Sequence, residues 1–166
     1  MKSLLSRSEV AQIAQQVGEA LLARGAKIAL AESCTGGGIA EAITSVPGSS
    51  KWFEYGFVTY ANEAKQSLLG VDNKVLQQQG AVSQQVVERM AQGAIQVSGA
   101  DYAIAVSGIA GPDGGTADKP VGTVWICWVG PNQNLSQRFQ LAGDRLAIRE
   151  QAIKISLQEL LHHINR

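Results

Sequence analysis

Lys27-Ile28-Ala29-Leu30-Ala31-Glu32-Ser33-Cys34-Thr35-Gly36-Gly37-Gly38-Ile39-Ala40-Glu41-Ala42-Ile43-Thr44 passes from an apolar run, through three glycines, to helical spacing. KIALA is short and continuously apolar, as a strand buried on both faces must be. IAEAITSV, from Ile39, reads as a helix that Pro47-Gly48 ends. A buried strand that turns directly into a helix is the repeating unit of an α/β sheet.

Outward from this unit, each flank supplies further elements. Upstream, Val10, Ile13, Ala14, Val17 and Leu21 repeat at helical spacing after Ser8, and Gly25 is a natural stop. Downstream, WFEYGFVTYA (52–61) is aromatic and β-branched and predicts a strand. Asn62 is placed to cap a short helix, EAKQSLLG, and Asp72 to open another. Ser83 caps a third, with Val86, Val87, Met90, Ala94 and Ile95 on its apolar face. YAIAV (102–106) is a second buried-type strand, and it runs into the loop SGIAGPDGG (107–115). Val121 to Val129 is a longer strand, and Pro131-Asn132-Gln133-Asn134 turns it into LSQRFQL. From Asp144 a long helix closes the chain. The order predicts a three-layer α/β/α fold with a mixed sheet, in one domain over residues 1–166.

Bulk properties narrow the function. The chain of 166 residues is long enough to bury a substantial core. Its 14 basic and 14 acidic residues cancel, and no Lys/Arg cluster offers the surface that duplex phosphates demand. No nucleic-acid partner is therefore expected. Small anions stay open, since backbone N–H groups bind phosphate without net charge. Cys34 and Cys127 form no CxxC, and neither has a His at ligand spacing, so no metal and no other cofactor is expected. Cys127 reads as a small buried hydrophobe. MKSLLSRSEVAQ has no leader-type apolar run and no stretch reaches membrane-spanning length, which predicts a cytoplasmic protein with no membrane partner. Apolar faces on the first and last helices allow a homodimer.

Ligands of such sheets gather at the carboxyl ends of strands, and here two glycine-rich loops both follow strands. Ser33 sits between strand and helix, where glycines admit a reacting group and free N–H donors can hold an oxyanion. Alternatively, Ser33 or Thr35 merely caps the helix and the glycines bind phosphate. Cys34 is a rival nucleophile, because a helix N-terminus lowers a thiol pKa. A serine needs a base. No GxSxG elbow is present, and His162 and His163 lie at the far end of the last helix as expected surface residues, which speaks against a Ser-His-Asp triad. The remaining base is a desolvated lysine. Lys65 follows the aromatic strand closely, and Tyr60 could pass a proton between it and Ser33; each also reads as an ordinary solvated or packed residue. Asp113 is the one acid–base group of the second loop. Arg145 could pair with a phosphate or form a surface salt bridge with Asp144 or Glu150. The expected substrate-binding set is Thr35, Gly36, Gly37, Asn62, Ser107, Gly108, Gly111 and Arg145.

AESCTGGGIAEAITSVPGSS, FVTYANEAK, GAVS (80–83) and VSGIAGPDGGTADKPVGTVWI together resemble the C-terminal domain of the competence/damage-inducible protein CinA, from about Ser8 to the last helix. The resemblance implies a nicotinamide mononucleotide deamidase, which hydrolyses the carboxamide to nicotinic acid mononucleotide and ammonia without metal. It implies a serine nucleophile at Ser33, assisted by Tyr60 and Lys65, and a small nucleotide as the partner. Many family members carry this module behind a larger domain similar to molybdopterin-binding proteins. The chain starts at its first helix, so activities of that larger domain are not expected here. The competing expectation is a nucleotide-binding regulator without turnover.

Overall fold

Five strands form one sheet in the computed structural model, in the order β2-β1-β3-β4-β5. They are β1 (Ile28–Glu32), β2 (Phe53–Val58), β3 (Tyr102–Gly108), β4 (Thr123–Gly130) and β5 (Gln133–Gln140). The structure describes the backbone from Lys2 and side chains from Arg7, so the reading of MKSLLSRSEVAQ falls partly outside the described residues. β2, β1 and β3 run parallel, while β4 and β5 are antiparallel, which gives the mixed sheet the element order predicts.

Alternation along β1 shows how the layers are assigned. Ile28 and Leu30 enter one core with α1 (Lys2–Ala23), α2 (Gly38–Thr44) and α6 (Arg145–Ile164). Ala29 and Ala31 enter the other, with α3 (Asn62–Leu69), α4 (Asn73–Gln79) and α5 (Gln84–Ser98). The second face is lined by the small residues Ala29, Ala31, Ala103 and Ala105, so α5 can lie close to the sheet. Gly93 allows the same closeness on the far side of α5, where any Cβ would run into the Leu69 carbonyl. Large side chains, Trp52 and Trp128 among them, fill the first core. α1 and α6 pack on each other there, and among the described residues Leu22 and Leu146 are their large exposed apolar side chains.

Several local expectations need correction. The aromatic strand is shorter at both ends: Trp52 belongs to the core, and Thr59 and Tyr60 leave the ladder. Asn62 caps nothing; Ala61 holds the cap position of α3 and Asn62 is its first residue. Asp72, Ser83 and Asp144 do cap, accepting from Lys74, Val86 and Ala147 N–H. The hairpin turn is confined to Pro131-Asn132, because Gln133 and Asn134 already pair with β4. His163 is buried, not superficial: it stacks on Trp128 and its Nδ1 lies 2.6 Å from Gln133 Oε1. His162 is exposed. No helix among the described residues is long and apolar enough to cross a membrane.

Candidate active site

β1 and β3 are parallel neighbours, so their carboxyl ends bring the two glycine loops side by side. Ser33 N–H donates to the Val106 carbonyl at 3.0 Å, which ties the first loop to the second strand. Between them lies a cavity of about 260 Å³, lined by Ser33, Cys34, Tyr60, Lys65, Ser107, Gly108, Gly111 and Arg145, with Ala81 and Asp113 at its edge.

Lys65 is the decisive placement. It projects from α3 and is only 1% exposed. Its Nζ lies 3.0 Å from Ser33 Oγ, 2.6 Å from the Thr59 carbonyl and 3.3 Å from the Tyr60 carbonyl. Burial lowers its pKa from 10.5 to about 8, against a smaller opposing influence from Cys34. At pH 7 about one molecule in ten then holds the neutral amine, against roughly one in 3,000 at the ordinary pKa. A neutral amine has two hydrogens, and two carbonyls stand ready to accept them. Its lone pair is then left facing the Ser33 hydroxyl, the geometry a general base requires.

Tyr60 makes two separate contacts. Its backbone carbonyl meets Lys65, but its phenol is exposed and accepts a hydrogen bond from Arg145 Nη2 at 3.1 Å. Arg145 Nη1 donates to the Gly111 carbonyl at 2.8 Å, so the guanidinium joins the β2–α3 connection to the second glycine loop and makes neither of the salt bridges considered for it. Ser107 is buried in the cavity wall. Thr35, Gly36, Gly37 and Asn62 lie outside the cavity lining.

The helix start is not a free set of donors. Glu32, at the end of β1 and 1% exposed, turns its carboxylate onto Thr35 Oγ1 (2.7 Å), Ile39 N–H (2.8 Å) and Ala40 N–H (3.0 Å). A buried carboxylate must be hydrogen-bonded, and the first N–H groups of α2 are what it takes. Gly36 N–H is occupied by the Ser33 carbonyl and Gly38 N–H by the Thr35 carbonyl. Gly36 (φ 57°) and Gly37 (φ 94°) supply the left-handed backbone this tight turn needs. Thr35 N–H, in a residue with no exposure, meets no acceptor among the described residues.

Cys34 is placed poorly for its rival role. Burial raises its thiol to about 11, outweighing its own backbone N–H, Arg149 and Lys65, which act to lower it. The lowering expected from a helix N-terminus is lost because Glu32 already occupies that terminus. Among the described residues, no group of three or more His, Cys, Asp or Glu is arranged to hold a metal ion. Sequence reasoning missed two residues, Glu32 and Arg149. A charged residue ending an apolar strand beside the candidate nucleophile marks the first. The second lies one helical turn beyond Arg145, on the same face. Its Nε and Nη2 donate to the carbonyls of Cys34 (3.0 Å) and Thr35 (3.1 Å).

The CinA C-terminal domain matches residues 10–164. The chain is 52% identical over 157 residues to the nicotinamide-nucleotide amidohydrolase PncC of Escherichia coli, covering 94% of this chain and 95% of that protein. It is 54% identical over 152 residues to the nicotinamide-nucleotide amidohydrolase PncC of Pseudomonas putida, covering 92% and 95%. Among solved structures, the competence damage-inducible protein A of Klebsiella pneumoniae superposes with a TM-score of 0.91 at 37% identity, over 95% of this chain and 98% of that one. The competence/damage inducible protein CihA of Agrobacterium tumefaciens gives 0.91 at 40% identity, over 95% and 96%.

Proposed function

The chain belongs to the CinA C-terminal domain family, and from that premise we propose that it is a nicotinamide-nucleotide amidohydrolase working through a Ser33–Lys65 pair. The observation that carries the mechanism is the buried Lys65 amine, 3.0 Å from Ser33 Oγ and within hydrogen-bond reach of two carbonyls.

Ser33 Oγ attacks the carboxamide carbon of nicotinamide mononucleotide while Lys65 takes its proton directly. Negative charge develops on the carboxamide oxygen, and the N–H of Cys34, which lines the cavity beside Ser33, is its donor. Lys65 then gives its proton to the departing nitrogen, and ammonia leaves an acyl ester on Ser33. Water enters, and Lys65 takes a proton from it as its oxygen attacks the ester carbon. Lys65 returns that proton to Ser33 Oγ as the ester C–O bond breaks and nicotinic acid mononucleotide is released. Lys65 thus alternates between base and acid, which suits a group titrating near neutrality. Arg145, at the opposite rim with the Tyr60 phenol and the Gly111 backbone, is the cation for the nucleotide phosphate. Tyr60 in this reading orients Arg145 and lines the substrate's path, and the Ser107 hydroxyl faces the pyridine side.

The test is ammonia release from nicotinamide mononucleotide by wild type and Ser33→Ala side by side. Release by wild type, with Ser33→Ala slowed by about 10⁴-fold or more, is the expected result. Equal release by both overturns Ser33 as nucleophile. A folded wild type that binds the nucleotide without releasing ammonia replaces the enzyme by the regulatory binding protein.

A further inference from the structure

We propose that Arg149 is a positioning residue for this reaction: it holds the Ser33–Thr35 turn from behind, and so keeps Ser33 Oγ and the Cys34 N–H in place at the catalytic cavity. The inference rests on Ser33 being the nucleophile.

A peptide group is planar and trans, so its C=O and N–H point in opposite directions. The carbonyls of Cys34 and Thr35 both accept from one Arg149 guanidinium, Nε at 3.0 Å and Nη2 at 3.1 Å. The N–H groups of the same two peptides belong to Thr35 and Gly36, and both must point away from Arg149. Gly36 N–H does so visibly, landing on the Ser33 carbonyl at 3.0 Å. Thr35 N–H is thrown the same way but has no acceptor, although its residue is fully buried. Through the Gly36–Ser33 bond, the peptide plane that Arg149 holds at Thr35 is fastened to the nucleophile's own carbonyl.

The two sides of the turn are also separated by cavities. Arg149 lines a second cavity of about 520 Å³, with Arg7, Ala11, Gly38, Glu41 and Ile153, between α1, α2 and α6. It does not line the cavity that contains Ser33 and Cys34. The guanidinium therefore stands behind the turn, and Ser33 and Cys34 stand on its catalytic side. Among the described residues no carboxylate pairs with Arg149. Its Nε and Nη2 are committed to the two carbonyls, and a rigid fork fixes two peptide planes at once.

The experiment compares steady-state deamidation by wild type, Ser33→Ala, Arg149→Ala and Arg149→Lys, with thermal melts as the folding control. For Arg149→Ala the expected result is a kcat about 100-fold lower, KM within about threefold, and an unmoved pH midpoint, since Lys65 is untouched. Millimolar guanidinium, entering through the rear cavity, should restore kcat about tenfold, and sodium chloride at equal ionic strength should not. Where Arg149→Ala does not fold, Arg149→Lys carries the test with the same expected fall, since a one-point ammonium cannot set both planes. Wild-type kcat in the folded variant, a change in KM alone, or equal rescue by both salts overturns the proposal. Undiminished turnover by Ser33→Ala overturns the nucleophile reading instead, whatever the Arg149 variants show.

Discussion

The two glycine loops at the sheet end follow neighbouring parallel strands, yet they are built on opposite principles. The first, Ser33 to Gly37, is held by charged side chains. Glu32 takes the donors at its helical end, and Arg149 takes the carbonyls at its centre. The second, from Gly108 to Gly122, is exposed from Pro112 to Asp118 and relies on sparse contacts. Those include Ile109 N–H to the Thr123 carbonyl, Gly122 N–H to the Ile109 carbonyl, Lys119 Nζ to the Gln79 carbonyl, and Arg145 to Gly111. The difference matches the tasks proposed for them. A nucleophile loses rate when displaced by an ångström, whereas a loop that receives a nucleotide must admit and release it.

The strongest challenge to this division is Lys65→Met, which keeps the buried stem and removes the base. Ammonia release should fall by about 10³-fold with KM little changed; a fall below tenfold would mean that the clamped loop needs no base from α3. The same group sets the pH profile. Only the neutral amine accepts a proton, so kcat/KM should rise with pH through about 8 and level above it. In Lys65→Met that rise should vanish. The stability arm has the same direction: the folded pKa is depressed, so the folded form binds fewer protons between about 8 and 10.5 and gains stability as pH rises through that window.

Next in size, Glu32→Ala strands Ile39 N–H, Ala40 N–H and the Thr35 hydroxyl in a buried place. A loss of roughly 2–3 kcal/mol is expected in denaturant unfolding, and an unchanged midpoint would show that the clamp is not structural. Arg145→Ala sharpens the comparison from the other loop: KM for nicotinamide mononucleotide should rise about 30-fold while kcat stays within a few-fold. An effect confined to kcat would move Arg145 from binding to chemistry. Lys119→Ala should be the mildest, changing kcat/KM less than about threefold, because one exposed latch on an open loop is worth little.

Periodicity and apolar runs made the sheet's elements readable, because burial on one or two faces imposes period and length directly. Ser33 and the second loop were readable for a related reason: glycines after a strand mark a place where backbone is left free. What sequence could not supply was anything fixed by tertiary contact. Nothing local tells a solvated Lys65 from a buried one, since its burial comes from Ser33, Thr59 and Tyr60 closing around it. Tyr60 was read through its phenol, while its carbonyl is what meets the amine. His163 looked superficial from its place near the end of α6, but the Trp128 ring and Gln133 enclose it. Asn62 had the right chemistry for a cap and stood one residue too late.

The reach of α6 has a consequence for how the protein comes to life. Arg145 joins residues 34 and 85 positions earlier, and Arg149 joins residues 114 and 115 positions earlier. On a ribosome, strand β1, the serine and the lysine are all synthesised well before this helix appears. Until α6 docks, the turn lacks its rear support and the cavity its cation. On the proposed mechanism, competence for catalysis therefore arrives late, with the last helix, after every reactive group has already been made.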